Sequence, residues 1–413
     1  MSPPESALPR RSFLRNLALA AAVPVLTEAS LAHAAQTAPG SSTTPAGMAL
    51  HGQGPDIPPP DAVLINANEN PLGPCKAAIE AIGKITPLGG RYDRVGETQM
   101  LAVTFAHQSG LKLDHVEVYG GSGEPLTHTV LAYTGPGRSL VIADPSYEAA
   151  MRAAMTSGGK IIKVPLTADF QHDVKAMAAA DPNAGLIYVC NPNNPTGTMT
   201  NRAAIEWLLE NKPKGSILLV DEAYIHLSDA KDSVDLVAAG KDLIVLRTFS
   251  KIYGMAGLRC GFAVGRPDLL AKLKAFGQNP MPITGSAAAR ASLLDPTLIP
   301  ERKKIIGDVR RDTLTWLTAN GYKVLGDSQS NCFMIDTGRN GRAVMAAMKA
   351  RKVYIGRTWP IWPNAVRISV GTATEMAAFK TAFAEVMALP PTALMATYGH
   401  YAQAEFDVLT HFA

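Results

Sequence analysis

Residues 243–261, LIVLRTFSKIYGMAGLRCG, combine an aliphatic run with a lysine, three glycines and two arginines. The aliphatic run Leu243–Leu246 is typical of a buried strand, and Ser250 and Lys251 follow shortly after it. Lysine is seldom buried unless it is paired or takes part in chemistry. A lysine at the end of a buried strand, beside Ser250 and Arg259, therefore indicates a Schiff-base lysine next to an anion-binding site. A lysine in an exposed loop is the alternative at this point.

Polar side chains also follow two earlier apolar runs. Residues 186–190 (LIYVC) lead into Asn194, and residues 217–220 (ILLV) lead into Asp221 and Tyr224. Each run is short and rich in β-branched and aliphatic residues, as expected for a strand inside a parallel sheet.

The spacing of these strand ends predicts how they are arranged. Asp221 lies 27 residues after Asn194, and Lys251 lies 30 residues after Asp221, which is about one strand-helix-strand unit in each case. Right-handed crossovers then place the carboxyl ends of the parallel strands on one edge of the sheet, where ligands bind in open α/β folds. Arg259 precedes its strand, so it joins this edge only if that strand is antiparallel.

Two further segments point to a planar, phosphorylated ligand. The strand-like run Val116–Tyr119 opens into a glycine loop with Ser122, Gly123 and Glu124 at the start of a helical pattern, a geometry that suits a phosphate. Tyr147 follows another buried run and can stack on a planar ring. An ordinary glycine-rich turn and a half-buried packing tyrosine are the alternatives.

From about residue 300 the pattern changes to α+β, which predicts a second, smaller domain. Arg357 follows one of its strands and Arg367 lies within another, where an arginine is costly unless it meets an anion. The expected fold is α/β: a large domain with a mostly parallel sheet and one antiparallel strand, plus the smaller α+β domain. The expected boundaries are an N-terminal segment joining the small domain (61–91), the large domain (92–298), the small domain (299–389) and a C-terminal tail (390–413).

Composition narrows the class of protein. The 413 residues are 47% hydrophobic and 18% charged, with a net charge of +4. Beyond the N-terminus the sequence contains no basic cluster, so nucleic-acid binding is not indicated. The four cysteines lack the spacing of a metal site, so no metal is expected, and the sequence leaves open whether any disulfide forms.

The N-terminus predicts export. Arg10 and Arg11 precede Phe13-Leu14, a short apolar run and the small-residue site Ala32-His-Ala34, which resembles a twin-arginine signal peptide over residues 1–34. The apolar run is too short for a stable membrane anchor. A flexible linker rich in Pro, Gly, Ser and Thr follows over 35–60. We expect the twin-arginine translocase to deliver a periplasmic protein, or a cytoplasmic location if the segment is not a signal.

The predicted sheet edge gathers the groups that pyridoxal 5′-phosphate requires. A lysine holds its aldehyde, a carboxylate keeps its pyridine nitrogen protonated, an amide and a phenol bind its ring hydroxyl, and a loop with serine and arginine binds its phosphate.

Several motifs then resemble a known family, the fold-type-I pyridoxal-phosphate aminotransferases, and within it the histidinol-phosphate aminotransferase branch. The resemblance spans roughly residues 63–389 and is carried by NENPLG (68–73), NPNNPTG (191–197), DEAY (221–224), TFSK (248–251) with GLR (257–259), and RISVG (367–371).

The resemblance implies a role for each site residue. Lys251, Asp221 and Tyr224 are the expected catalytic group, with Lys251 as the Schiff-base lysine. Ring contacts are expected from Asn194 and Tyr147, and phosphate contacts from Ser122, Gly123, Glu124, Ser250 and Arg259. Substrate contacts are expected from Asn68, Arg357 and Arg367. The resemblance also implies a homodimer in which Tyr92 reaches the partner's phosphate.

The expected reaction transfers an amino group between an amino acid or amine and a 2-oxo acid. A decarboxylase or lyase acting on a phosphorylated amino acid is the alternative with the same fold, and a non-catalytic cofactor carrier is a third. The chain departs from the branch at Gly123, at Cys332 and in the bulky segment Trp359–Trp362. Since an exported protein would rarely meet histidinol phosphate, we expect another substrate.

Overall fold

The computed structural model describes residues 57–399. The predicted signal peptide and the linker up to residue 56 lie outside this range, as do residues 400–413. Within it, no helix is both long and apolar enough to cross a membrane. The same residues contain no group of histidine, cysteine and acidic side chains that could hold a metal ion.

Strands and helices alternate through most of this range. The strands are β1 (Val63–Ile65), β2 (Val116–Tyr119), β3 (Ser139–Asp144), β4 (Ile161–Pro165), β5 (Ala184–Cys190), β6 (Ile217–Asp221), β7 (Leu243–Thr248), β8 (Gly261–Gly265), β9 (Lys323–Leu325), β10 (Cys332–Asp336), β11 (Val353–Ile355) and β12 (Ala365–Ser369). The α-helices are α1 (Lys76–Ile85), α2 (Glu97–Gln108), α3 (Gly123–Tyr133), α4 (Ala149–Ser157), α5 (Val174–Ala179), α6 (Arg202–Asn211), α7 (Val234–Ala238), α8 (Pro267–Lys274), α9 (Ile283–Leu293), α10 (Leu298–Ala319), α11 (Gly341–Lys349) and α12 (Ala373–Ala388).

Seven strands form the main sheet in the order β2-β8-β7-β6-β5-β3-β4. The pairs from β4 to β7 are all parallel, whereas β8 is antiparallel to both β7 and β2. The predicted fold, a mostly parallel sheet with one reversed strand, is therefore confirmed. The central strands β5, β6 and β7 are buried along their whole length, because their continuous aliphatic runs are covered on both faces by helices.

A smaller antiparallel sheet lies in the C-terminal part, in the order β12-β10-β9. Met334 of β10 pairs with Arg367 of β12, which fixes the register of that arginine. The long helix α10 and helix α12 pack near this sheet, and α12 begins with a capping box in which Thr372 and Glu375 satisfy each other's backbone N–H groups. Residues 391–399 are helical, and Leu394 is buried.

The N-terminal strand belongs with the C-terminal part of the chain. β1 pairs in parallel with β11, with Val63 opposite Val353. This pairing carries the chain from Asn66 to Asn70 across the carboxyl edge of the main sheet. Asn70 Nδ2 donates to the Ile252 carbonyl at 2.9 Å, and Asn331 Nδ2 donates to the Asn68 carbonyl at 3.1 Å. The segment is thus tied to both sheets.

Candidate active site

A cavity of about 600 Å³ lies at the carboxyl edge of the main sheet. Asn194, Asp221 and Lys251 reach it from the ends of β5, β6 and β7, as the spacing of the strand ends predicts. Because β8 is antiparallel, Arg259 at its start reaches the same cavity. All but two of the predicted site residues line this cavity: Asn68, Ser122, Gly123, Tyr147, Asn194, Asp221, Tyr224, Ser250, Lys251, Arg259, Arg357 and Arg367.

Asp221 is a buried carboxylate with two donors. Its side chain is 2% exposed, Tyr188 Oη donates to Oδ2 at 3.0 Å, and the Ala223 N–H donates to Oδ1 at 3.2 Å. Burial raises the pKa of Asp221 to about 6, and the two hydrogen bonds oppose this by stabilising the charged form. A cationic partner in the cavity would restore the ordinary acidity of this carboxyl.

Lys251 stands on the other side of the cavity with its amine in a low-dielectric setting. Nζ donates to the Asn68 carbonyl at 2.9 Å and lies 5.5 Å from the centre of the Tyr224 ring. Burial, followed by the positive charge of Arg367, lowers the pKa of Lys251 to about 8. A substantial fraction of the amine is therefore neutral near pH 8, the form that a nucleophile or a general base requires.

Tyr224 and Asn68 form a polar pair between Lys251 and the small sheet. Asn68 Nδ2 donates to Tyr224 Oη at 3.1 Å, and the Asn68 backbone N–H donates to Ser369 Oγ at 2.7 Å. Asn68 has a φ of 53°, in the left-handed region that asparagine tolerates better than most residues. Burial raises the pKa of Tyr224 well above its ordinary value, so its hydroxyl remains a hydrogen-bond donor.

The glycine loop and Arg259 form a cradle at one end of the cavity. Gly121 has a φ of 96°, and a Cβ at this position would lie 2.4 Å from Arg259 Nη2, so only glycine lets the guanidinium approach. Ser122 immediately precedes α3, whose first N–H groups have no partner within the helix. Ser250 adds a hydroxyl, which accepts from Thr248 Oγ1 at 3.0 Å. The donors available here suit a phosphate group.

Arg367 provides a second anion-binding position. It is only 7% exposed, Nη1 donates to Asn194 Oδ1 at 2.9 Å, and Nη2 donates to the Asn66 carbonyl at 2.6 Å. Its Nε is buried and has no hydrogen-bond partner among residues 57–399. Neither neighbour is an anion, so the guanidinium charge is uncompensated and the cavity presents it to a ligand.

Arg357 differs from Arg367 because it already has an acidic partner. Nη1 is 2.5 Å from Glu148 Oε2, and the guanidinium lies 4.5 Å from the centre of the Trp359 ring. Trp359 is 1% exposed and its Nε1 donates to the Ser146 carbonyl at 3.3 Å. Arg367 also lies over this ring, at 5.6 Å. The indole is therefore a shared contact of the two arginines.

Two predicted site residues do not line the cavity. Glu124 follows Gly123 in the first turn of α3, so its side chain is rotated by about 100° and points elsewhere. Its carboxylate accepts from the Asn279 N–H at 3.3 Å. Tyr92 is 83% exposed. Its expected contact is with a second subunit, and that contact stays a prediction.

The sequence analysis assigned no site role to several residues that shape the site: Tyr188, Glu148, Arg152 and Glu69. It noted Trp359 only as part of a bulky segment. Tyr188 was recognisable only as the single polar side chain in an aliphatic strand. Arg152 and Glu69 line the cavity. Arg152 and Glu148 stand one helical turn apart at the start of α4, a spacing that places two side chains on one helix face.

Beneath the site, a buried ion pair fixes the loop after β6. Arg247 Nη1 is 2.9 Å from Glu222 Oε2 and 3.0 Å from Asp232 Oδ2. Glu222 Oε1 accepts from the Ser233 N–H at 2.7 Å. Burial raises the pKa of Glu222 to about 7, and the charge of Arg247 opposes this. Because Glu222 directly follows Asp221, the pair holds the end of β6 in place.

Comparison with known proteins agrees with this geometry. The family model for "Aminotransferase class I and II" matches residues 60–383. A histidinol-phosphate aminotransferase of Moorella thermoacetica is 33% identical over 339 residues, covering 79% of this chain and 86% of the relative. An aromatic amino acid aminotransferase of Cutibacterium acnes is also 33% identical, covering 76% of this chain and 90% of the relative. The crystal structure of a histidinol-phosphate aminotransferase from Sinorhizobium meliloti in complex with pyridoxal 5′-phosphate superposes with a TM-score of 0.72 at 26% identity, covering 79% of this chain and 91% of that one.

Proposed function

The chain belongs to the class I and II aminotransferases, and on that premise we propose which residues carry out the reaction and which substrate they receive. It is a pyridoxal-phosphate-dependent enzyme that moves an amino group between an amino acid or amine and a 2-oxo acid. We propose that the donor is a free amino acid whose carboxylate binds Arg367. The roles of individual residues that follow are part of the proposal.

The residues present fit the cofactor. The cradle of Ser122, Gly123, Ser250 and Arg259 supplies hydroxyl, N–H and guanidinium donors for a phosphate, and it depends on the absence of a side chain at Gly121. When bound, pyridoxal phosphate supplies an electron-accepting ring that stabilises negative charge at the substrate's Cα. All three of Asn194, Tyr224 and Tyr147 line the cavity, and we propose that the first two bind the ring hydroxyl and that Tyr147 stacks on the ring.

Asp221 and Lys251 divide the proton chemistry between them. Asp221, charged and held by Tyr188 and Ala223, pairs with the pyridine nitrogen and keeps it protonated. Lys251 would hold the cofactor through its aldehyde. Its free Nζ would remove and return the proton at the substrate's Cα, for which a pKa near 8 is well matched.

The uncompensated charge of Arg367 is the main observation that supports an amino acid with a free carboxylate as the substrate. Its Nε is buried without a partner, which is costly unless a ligand supplies an acceptor. A substrate carboxylate would supply one, and it would orient the Cα–H bond with respect to Lys251. An amine without a carboxylate leaves this guanidinium unpaired.

A panel of amino donors tests the proposal. Purified holoenzyme is mixed with single L-amino acids and with amines that lack a carboxylate, and the cofactor absorbance is followed together with the 2-oxo acid formed. We expect amino acids to react and to give stoichiometric 2-oxo acid, and decarboxylated amines to react at least about tenfold more slowly. Release of carbon dioxide without 2-oxo acid would instead identify a decarboxylase.

We also propose that the enzyme is a homodimer with sites shared between subunits. Tyr92 projects into solvent, and nearby apolar side chains on α1 and α2, among them Ile79 and Met100, are exposed as well. An exposed apolar face of this kind is typical of a surface covered by another chain. Light scattering of the purified protein gives the oligomeric state. Activity recovered on mixing inactive Lys251→Ala and Tyr92→Phe proteins would support shared sites, and a monomer would exclude them.

We further propose periplasmic location by the twin-arginine route, which the sequence of residues 1–34 supports. This route carries folded proteins, so the cofactor would be acquired inside the cell and would stabilise the folded chain before export. Fractionation and N-terminal sequencing of the wild type should give periplasmic protein that begins at Ala35. Replacing Arg10 and Arg11 by lysines should retain uncleaved, active protein in the cytoplasm. Wild type that stays cytoplasmic and full-length would contradict export and restore histidinol phosphate as the leading substrate.

A further inference from the structure

We infer that Glu148 determines substrate specificity by neutralising Arg357, so that the site takes substrates with one anionic group, the carboxylate bound by Arg367. The inference rests on the proposed function of this cavity. The inference predicts that the side chain of the amino donor is uncharged. It also predicts that amino acids with a second carboxylate or a phosphate are poor substrates.

The two arginines of the cavity are chemically unequal. Arg367 donates only to an amide oxygen and a backbone carbonyl, whereas Arg357 is paired with the Glu148 carboxylate at 2.5 Å. Glu148 is not among the residues lining the cavity, whereas Arg357 is. A second anionic group of a substrate would have to displace Glu148 or bind next to it. Both cost free energy because like charges repel.

The Trp359 indole fixes this arrangement. Its ring is buried, anchored to the Ser146 carbonyl, and contacts both guanidinium groups. Ser146 and Glu148 are two residues apart, so the anchor of the indole and the partner of Arg357 belong to the same turn before α4. Arg357 is thereby held by a carboxylate on one side and an aromatic face on the other.

Arg152 is the competing cation. It lines the cavity one turn beyond Glu148, it is exposed, and among residues 57–399 no acidic side chain forms an ion pair with it. A solvated arginine discriminates less between ligands than a partly buried one, because water screens its charge. It could also attract Glu148 and release Arg357. The experiment therefore includes its removal.

The measurement is the ratio of two specificity constants in the half-reaction of the holoenzyme: kcat/KM for L-glutamate or L-aspartate divided by kcat/KM for L-leucine or L-phenylalanine. In the wild type this ratio should be about one-tenth or lower. Glu148→Gln should raise it roughly tenfold, because Arg357 becomes available and the repulsion is removed. Adding Arg357→Gln to Glu148→Gln should cancel the gain. Arg152→Gln alone should leave the ratio near that of the wild type.

Glu206→Gln is the matched control. Glu206 also pairs with an arginine, Arg202, at 2.7 Å, but neither residue lines the cavity. It should not move the ratio. Inhibition by the unreactive acids succinate and 3-phenylpropanoate gives a reading that does not depend on turnover, and Glu148→Gln should lower the inhibition constant of succinate relative to that of 3-phenylpropanoate.

Two failures are distinguishable. If no amino acid reacts with the wild type, the proposed function is wrong. If amino acids react but the wild type uses glutamate as readily as leucine, or Glu148→Gln leaves the ratio and the succinate inhibition constant unchanged, the specificity assigned to Glu148 is wrong.

Discussion

Replacing Asp221 by asparagine should make the cofactor-free protein more stable while removing most of its activity. Burial raises the pKa of Asp221 from 3.8 to about 6. One pKa unit corresponds to about 1.4 kcal/mol, so keeping this carboxyl charged at pH 7 costs the apoprotein about 3 kcal/mol of folding free energy. The asparagine carries no charge, and its amide can still bond with Ala223 and Tyr188.

The sign of the pH dependence follows from the direction of the shift. Because the folded pKa lies above the unfolded one, the wild-type apoprotein loses stability as the pH rises from about 4 through 6, and the loss is complete above that range. Asp221→Asn should therefore be more stable than the wild type above pH 6, by up to about 3 kcal/mol, and equal to it near pH 4. Urea unfolding of both apoproteins at several pH values measures this difference.

Asp235→Asn is a control of opposite sign. The side-chain hydrogen bond from Arg202, reinforced by Lys231, lowers the pKa of Asp235 to about 2. The charged carboxylate stabilises the fold when the pH is above the pKa that Asp235 has in the unfolded chain. This stabilisation is lost as the pH falls through the pKa of Asp235 in the folded protein. Removing it should destabilise the protein at neutral pH.

Bound cofactor should reverse the order of stability of the wild type and Asp221→Asn. A charged Asp221 pairs with the protonated ring nitrogen, so pyridoxal phosphate should stabilise the wild type more than Asp221→Asn. The variant should still bind cofactor but turn over poorly, because a neutral amide cannot hold that nitrogen protonated. An apoprotein variant less stable than the wild type at pH 8, or a holoenzyme variant with near-wild-type turnover, would refute the reasoning.

Three other substitutions test the remaining roles. Lys251→Ala should abolish both turnover and the absorbance of covalently attached cofactor, and retention of that absorbance would remove Lys251 from its role. Arg367→Leu should raise the KM for amino acids, corresponding to a loss of about 2–5 kcal/mol of binding free energy, and should leave cofactor occupancy unchanged. Loss of bound cofactor instead would show that Arg367 has another role. Tyr188→Phe removes a donor from Asp221 and should raise its pKa further, shifting the acidic limb of the kcat–pH profile upward. Tyr133→Phe, which removes a buried hydroxyl bonded to the Leu269 carbonyl, is its control and should leave the profile in place.

The main sheet and the polar residues at its carboxyl edge can be predicted from the amino-acid pattern. Continuous aliphatic runs predict buried strands, and intervals of 27 and 30 residues predict parallel crossovers. Asn194, Asp221 and Lys251 must then converge, because parallel strands end at a common edge. The position of Arg259 before its strand left open whether it reaches this edge, and the antiparallel pairing of β8 with β7 brings it there. These inferences depend only on local pattern and spacing.

The contacts of each side chain at that edge depend on how distant segments pack in the folded chain. In the main sheet, Cys190 of β5 stands opposite Asp221 of β6. Tyr188 lies two residues before Cys190 on the same face of the sheet, and its hydroxyl therefore reaches the Asp221 carboxylate. The register between β5 and β6 sets this contact. Arg357 and Glu148 are 209 residues apart, and no local pattern pairs them. A charged side chain takes its partner from whatever element the fold packs against it. The sequence therefore identified both arginines, and the packing of α4 against the segment after β11 gave Arg357 an acidic partner that Arg367 lacks among residues 57–399.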